Sequence, residues 1–167
     1  WVALNKNTGE LVGEDGSGAS ASALHAAWSS LTYGKVGGKE MLIWGGTDGF
    51  CYGYPNKTEK DADGYDLFNP TWKVDCNEPH YRKDKAGKKI PYATPPGPSE
   101  LIGTPVLYKE KVYCAIGQDP EHGDGVGRLT CIDAKTGKVV WKNTDVGRTI
   151  STISVADDLV YLAEYAG

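Results

Sequence analysis

The sequence predicts an all-β fold, and two observations predict it. The chain has 22 glycines and 9 prolines in 167 residues and is 40% hydrophobic, a composition that suits a turn-rich β protein better than a helical one. The second observation is a hairpin pattern that recurs along the chain. The run most tolerant of a helix, Ala19 to Trp28 (ASASALHAAW), is rich in serine and alanine and is interpreted as a connector.

The clearest hairpin is Leu129 to Trp141, LTCIDAKTGKVVW. Residues 129–133 and 138–141 are strand-forming, and the five residues between them supply the turn. Asp133 is expected to accept hydrogen bonds from backbone N–H groups of the turn, and Gly137 to take the positive φ that a loop of this length needs.

This hairpin has two degraded copies earlier in the chain. The first, WVALNKNTGELV at residues 1–12, places Asn5, Thr8 and Gly9 on the positions of Asp133, Thr136 and Gly137. The second begins at residues 51–54, is opened by an insertion, and resumes at residues 71–74 with Trp72 on the position of Trp141. Segments ahead of the hairpins repeat as well: Ser29-Ser30-Leu31, Thr104-Pro105-Val106 and Ser151-Thr152-Ile153, each followed by an apolar strand.

The repeating unit is therefore four strands long, which predicts a β-propeller of four-stranded antiparallel blades. The expected divisions are a half blade at 1–13, a blade at 28–76, a blade at 103–143 and a half blade at 150–167. These make about three blade equivalents, whereas closed propellers use roughly four to eight. The sequence thus predicts an incomplete propeller, with other blades or a larger assembly as its partner.

The motif A/C-L/I-D/N-x-x-T-G-x-x-x-W, followed by T-P-V and a V-Y strand, resembles the PQQ-like propeller repeat. That repeat occurs in quinoprotein dehydrogenases and in non-catalytic BamB-like relatives. The phrases TDGFCYGY, WKVDCN and GQDPEHGDGVGRLTCIDA are similar to a bacterial subgroup of PQQ-like repeat proteins. The resemblance implies that Trp72 and Trp141 pack between blades, while Gly13 holds the corresponding position in the first copy.

The resemblance implies two alternative functions. One is a non-catalytic exported module in the periplasm or outside the cell, acting as a scaffold or protein-binding platform and needing no cofactor in this segment. The other is part of a dehydrogenase that oxidises alcohols or sugars with PQQ and calcium on the propeller axis. The blade motifs stabilise the propeller and do not touch a cofactor, so they do not choose between these functions.

Charge and hydropathy argue against a nucleic-acid-binding protein and against a membrane-spanning helix. A net charge of −4 gives no support for nucleic-acid binding, and the basic run His80 to Lys89 is interpreted as a solvated loop between blades. No apolar run approaches the ~20 residues of a membrane-spanning helix. No signal peptide is recognised in the sequence.

The metal and site candidates are few. Glu59, Asp61 and Asp63 precede a glycine as in the first half of a calcium loop, with a solvated acidic loop as the alternative. The segment Asp119 to Gly125 clusters three carboxylates and a histidine but fits no metal motif. His25 is interpreted as a structural histidine.

The four cysteines lack the C-x-x-C spacing of zinc and redox sites. Strand register places Cys51 and Cys76 too far apart for a disulfide. Cys114 and Cys131 fall on adjacent strands, where either a disulfide or buried free thiols are possible.

Overall fold

A computed structural model describes residues 1–166, which form fourteen strands and little helix. A single α-helical turn, α1, spans Pro79–Arg82, and short 3-10 turns lie at Ala19–Ser22 and Pro120–His122. The first seven strands are β1 (Val2–Leu4), β2 (Leu11–Asp15), β3 (Leu31–Val36), β4 (Lys39–Gly45), β5 (Phe50–Pro55), β6 (Glu59–Lys60) and β7 (Asp66–Phe68). The other seven are β8 (Trp72–Asp75), β9 (Val106–Tyr108), β10 (Lys111–Ile116), β11 (Arg128–Asp133), β12 (Val139–Asn143), β13 (Ser154–Ala156) and β14 (Leu159–Tyr161).

The two predicted complete blades are present as four-stranded antiparallel sheets. One sheet has the order β3-β4-β5-β8 and the other β9-β10-β11-β12, so each runs in chain order. The final hairpin, β13 with β14, forms a separate two-stranded sheet. The all-β fold of four-stranded units is therefore confirmed.

The first hairpin differs from the expected half blade because the insertion completes its sheet. Strands β6 and β7 come from the insertion between β5 and β8 and extend the sheet to the order β1-β2-β7-β6. Strand β2 pairs with β7 in parallel, with Glu14 opposite Leu67. Gly13 permits this approach, since a Cβ there would lie 2.7 Å from the Thr58 side chain.

The sheets stand side by side with their first strands together. The Ser30 N–H donates to Thr104 Oγ1 at 3.2 Å, and the Thr104 N–H donates to Thr152 Oγ1 at 3.1 Å. These residues occupy neighbouring positions in the repeated segments that precede β3, β9 and β13. A hydrogen bond from a backbone N–H to a threonine hydroxyl therefore links each unit to the next, as expected for blades arranged around an axis.

Each pair of neighbouring sheets encloses its own apolar cluster. An aromatic cluster with Trp44, Tyr52, Tyr54 and Phe68 lies where the first sheet meets the β3-β4-β5-β8 blade. The largest cluster lies between the two complete blades, and the smallest lies between the second blade and the final hairpin. The apolar strand residues are thus buried between units, which is how blades stabilise one another.

Trp72 joins the two complete blades. Its side chain is buried, with 9% of the residue exposed, and its indole N–H donates to the Ala134 carbonyl at 2.9 Å. A Cβ on Gly53 would lie 2.1 Å from the indole, and one on Gly137 would lie 2.6 Å from the Trp72 Cβ. The indole is therefore held between a strand of its own blade and the hairpin turn of the next.

That hairpin turn has the predicted geometry. Asp133 Oδ1 accepts from the backbone N–H and the hydroxyl of Thr136, and Gly137 has a φ of 70°. In the first hairpin, Asn5 Oδ1 accepts from the Thr8 N–H, and Gly9 has a φ of 76°. The two turns therefore share a backbone N–H bond to the first turn residue and a positive φ at the glycine.

A β-bulge shifts the predicted strand register by one residue. It lies between Cys131 and Ile132, so that Asn143 stands opposite Leu129 where the simple hairpin register predicts Lys142. The first hairpin has the corresponding irregularity between Ala3 and Leu4. Bulges of this kind increase local twist and are not visible from strand propensity.

The predicted burial of Trp141 is wrong, since 38% of this residue is exposed. Its strand, β12, is the outermost strand of the second blade. In residues 1–166 the following unit contributes β13 and β14 alone, without a counterpart of the turn that receives Trp72. Trp141 contacts Tyr113 of its own blade, with 6.0 Å between ring centroids.

All four cysteines are buried free thiols. Cys114 lies opposite Thr130, and Cys131 lies opposite Tyr113. Because side chains alternate between the faces of a strand pair, this register places the two thiols on opposite faces, where no disulfide can join them. The close approach is instead between blades, where Cys76 Sγ and Cys114 Sγ are 3.5 Å apart.

A buried charge cluster also joins the two complete blades. Glu78 Oε1 lies 3.2 Å from an Arg128 guanidinium nitrogen and accepts a hydrogen bond from the Lys142 ammonium group. The Lys142 hydrogen bond, together with the Arg128 charge, holds the pKa of Glu78 below its ordinary value against the opposing effect of burial.

Truncating Trp72 should separate the two complete blades. We expect Trp72→Ala to lower the free energy of unfolding by about 3 to 5 kcal/mol, because it empties an interblade site and removes the hydrogen bond to Ala134. Trp141→Ala is the matched control and should cost less than about half of that amount. Equal losses in urea denaturation would contradict the assignment of the docking role to Trp72.

Glu78 should contribute an acid-sensitive part of the stability. Since its pKa is lowered in the folded chain, its contribution is complete above its ordinary pKa of 4.5 and is lost as pH falls through the lowered value. Glu78→Ala leaves Arg128 buried without its partner, so we expect a loss of about 3 kcal/mol at pH 7. Denaturation at pH 7 and pH 3 should show a smaller difference for the variant than for the unaltered chain.

Candidate functional site

A cluster of polar and aromatic side chains lies at the end of the sheets where β3 and β9 begin. His25 comes from the connector ahead of β3, Tyr92 and Glu100 from the connection between β8 and β9, and Asp119 and His122 from the loop between β10 and β11. Three separate connections therefore converge beside the first strands of both complete blades. We call these five residues the His25 cluster.

The two imidazoles face the carboxylates of Glu100 and Asp119 without a direct hydrogen bond to them. His25 Nδ1 lies 3.8 Å from Glu100 Oε1 and 3.8 Å from Asp119 Oδ2. His122 Nδ1 lies 3.6 Å from the same oxygen of Asp119. Each separation exceeds an ordinary hydrogen bond, which spans about 2.7 to 3.2 Å.

Aromatic stacking fixes the imidazole of His25. Its ring stacks on Tyr92 with a centroid distance of 5.7 Å and an interplanar angle of 15°. Trp28 stacks on the same ring at 6.2 Å, and the His122 ring lies 4.5 Å away. These contacts hold His25 in place although 31% of its side chain is exposed.

The loop that carries Asp119 and His122 is held by its own hydrogen bonds. Asp119 Oδ1 accepts from the Glu121 N–H at 3.0 Å, which directs the other oxygen, Oδ2, towards the histidines. The Gln118 side-chain amide donates to the His122 carbonyl, and Arg148 donates to the Gly123 carbonyl. The two side chains are therefore presented by a braced loop.

Glu100 forms the buried floor of the cluster. Its backbone pairs with Gly117 and its side chain is fully buried, with the Tyr92 hydroxyl 3.2 Å from Oε1. No donor reaches Oε2 with hydrogen-bonding geometry. Burial raises the pKa of Glu100 to about 7, opposed by the Tyr92 hydrogen bond and the nearby Ala26 N–H and reinforced by the charge of Asp119.

One ligand atom from each of His25, Asp119 and His122 lies within 4.8 Å of the other two. Imidazole nitrogens and carboxylate oxygens are ligand types of first-row transition metals. The cluster therefore has the donor types and the proximity of a metal site.

The sequence does not reveal this cluster, because His25 lies about 95 residues from Asp119 and His122 along the chain. Taken singly, His25 fits a structural histidine and the Asp119 segment fits a structural loop. The alignment of the repeats places the connector ahead of one blade beside the β10-β11 loop of the next. This alignment is the sequence signal that could have brought His25 together with Asp119 and His122.

The residues predicted to bind calcium form a hydrogen-bonded turn at the opposite end of the sheets. Glu59 belongs to β6 and its carboxylate is ion-paired with Lys57 at 2.9 Å. Asp61 Oδ1 accepts from the N–H groups of Asp63 and Tyr65. Within residues 1–166, Glu59, Asp61 and Asp63 do not bring three ligand atoms within 4.8 Å of one another. Calcium binding by these residues stays a prediction.

A cleft of about 700 Å³ opens between the complete blades at that same end. Its lining includes Val36, Met41, Lys39, Lys57 and Lys135. The basic run that begins at His80 lies elsewhere, in α1 and a small hairpin with Lys83 opposite Lys89.

The arginines do not converge on a site for an anionic ring system such as PQQ. Arg82 binds the Asp75 carboxylate through two nitrogens, and Arg128 pairs with Glu78. Arg148 stacks on Tyr165, with 3.9 Å from its guanidinium carbon to the ring centroid. Each side chain is committed to a local contact, so the residues described here do not fit that cofactor.

Helices in residues 1–166 are all too short to cross a membrane.

Comparison with known proteins gives a structural likeness alone. No family model matches the sequence, and no curated protein matches it. The crystal structure of BamB from Moraxella catarrhalis superposes with a TM-score of 0.56 at 14% identity. The superposition covers 95% of this chain and 38% of that protein. At this identity the likeness shows the fold: the chain is built as part of a β-propeller similar to BamB.

Proposed function

We propose that the chain belongs to a non-catalytic propeller that serves as an exported scaffold or protein-binding platform, in the periplasm or outside the cell. The observation that carries the proposal is the likeness in fold to BamB, and the exposed apolar surface of β12 is the candidate contact surface. Val139 is 44% exposed, Val140 48% and Trp141 38%. An edge strand with large apolar side chains on both faces is a surface that natural proteins cover with a partner.

The blade contacts explain what kind of partner fits this surface. Trp72, at the position equivalent to Trp141, is covered by the hairpin turn of the next blade. A further blade of the same propeller, or a partner protein that presents a similar turn or an added strand, would cover Trp141 in the same way. We infer that this edge is a site of protein contact.

The likeness in fold to BamB supports the platform function, but a propeller alone does not separate it from the dehydrogenase alternative. The alternative needs residues that hold PQQ, and the arginines described above are each engaged locally. The scaffold function asks only for stable blades and an accessible surface.

Site-specific crosslinking tests the contact at β12. A photoreactive amino acid replacing Trp141 in the full-length protein should crosslink in cells to a defined protein segment, either a further blade or a partner, identified by mass spectrometry. The matched control is the same residue at Lys6, an exposed position in the first hairpin turn, where we expect at most about a tenth of that yield. Equal yields at both positions would contradict the proposal.

An oxidation assay tests the non-catalytic part. We expect the full-length protein, incubated with PQQ and calcium, to show no dye-linked oxidation of alcohols or sugars above a heat-denatured control. Turnover would establish the dehydrogenase alternative. Protease accessibility in intact and osmotically shocked cells would test export, with protection in both samples counting against it.

A further inference from the structure

We propose that the His25 cluster binds a divalent first-row transition metal, with zinc as the representative ion, through His25, His122 and Asp119, beside the buried carboxyl of Glu100. This inference is independent of the platform function, because it depends on four side chains at the opposite end of the blades from the cleft and the acidic loop.

The first argument for a metal site is the spacing of the ligand atoms. The separations of Asp119 Oδ2 from His122 Nδ1 and His25 Nδ1 are 3.6 and 3.8 Å. These are too long for hydrogen bonds, yet too short to admit a layer of water between the groups. Zinc bonds of about 2.0 to 2.1 Å in a tetrahedron place ligand atoms about 3.3 Å apart. Shifts of about half an ångström would bring these atoms to that spacing.

The second argument rests on Glu100. Its side chain is fully buried, and its Oε2 atom has no hydrogen-bond partner among the described residues. A buried carboxylate oxygen without a partner is costly, and such groups are usually paired or bound to a metal. Because Oε1 of the same carboxyl lies 3.8 Å from His25 Nδ1, an ion bound by His25 would place positive charge beside this buried carboxyl.

The donor set selects the kind of metal. Two imidazoles and the Asp119 carboxylate provide three protein ligands, which leaves the fourth position of a tetrahedral ion open. Calcium takes six to eight oxygen ligands, and magnesium keeps several waters, so neither suits a site with two imidazoles. Zinc, or a related first-row ion, fits this combination.

The surroundings meet two further requirements of a metal site. The side chains of His25 and His122 are 31% and 38% exposed, which gives an ion a path from solvent, while Asp119 is 14% exposed. Tyr92 and Trp28 stack around His25, and the Glu121 N–H holds the other oxygen of Asp119. Contacts of this kind orient metal ligands before the ion arrives.

Calorimetry on the full-length protein, stripped with chelator and titrated with zinc chloride, tests the proposal. We expect one ion per chain, and a melting temperature that rises with zinc concentration because the ion binds the folded state. His25→Ala and His122→Ala should each weaken binding by at least about tenfold. Glu100→Gln should weaken it as well while preserving the shape of the side chain.

The chain offers a matched control in His80, the third histidine, which is exposed and lies outside the cluster. His80→Ala should bind zinc with the affinity of the unaltered protein. Circular dichroism of each variant without metal confirms folding, and the more conservative His25→Gln and His122→Gln replace any variant that does not fold.

Cobalt substitution distinguishes this site from the buried thiols. Bound cobalt should give visible ligand-field bands without the near-ultraviolet charge-transfer band of a thiolate ligand. Three results would each overturn the proposal: no zinc binding by the unaltered protein, undiminished binding by both histidine variants, or a thiolate charge-transfer band.

Discussion

The seating of one blade's tryptophan on the next blade's hairpin turn is the contact on which the arrangement of the two complete sheets depends. A four-stranded sheet has two faces to bury, and the apolar strand residues here are buried only where neighbouring sheets meet. The Trp72 indole fixes the position of one sheet on the next through a single directional bond to Ala134. The turn that receives it is stiffened by Asp133 and needs glycine at position 137.

Much of this architecture could be predicted because turn chemistry is local. Asp133, Thr136 and Gly137 specify a hairpin wherever they occur, and a repeat of that hairpin specifies repeated sheets. The positions of the strands in both complete blades follow from the same repeat. What could not be predicted depends on contacts between distant segments. The pairing of β7 with β2 is set by the close approach at Gly13, and the exposure of Trp141 by which turn stands opposite it.

In the candidate site, the difference between what the sequence predicts and what only the fold determines is larger. Each of its members carries a weak local signal, and His25 and His122 acquire meaning only when the fold brings their connections together. The acidic loop has the stronger sequence pattern, yet the Glu59 carboxylate is paired with Lys57 and the Asp61 carboxylate accepts from backbone N–H groups of the turn. Spacing along a chain predicts ligands well for a continuous loop and poorly for a site assembled from several connections.

The strand pairing between β2 and β7 has a consequence for how this chain folds. The strands of the sheet that begins with β1 flank β3, β4 and β5 of the following blade in sequence, so neither sheet is an independent segment of the chain. The free edge of β2 is paired only when β7, which belongs to the insertion, joins the sheet. The insertion is itself held in place by β5 before it and β8 after it. A propeller whose blades were strictly consecutive could lose a terminal unit without affecting its neighbour. Here the interleaving makes the first two sheets a single cooperative unit of unfolding.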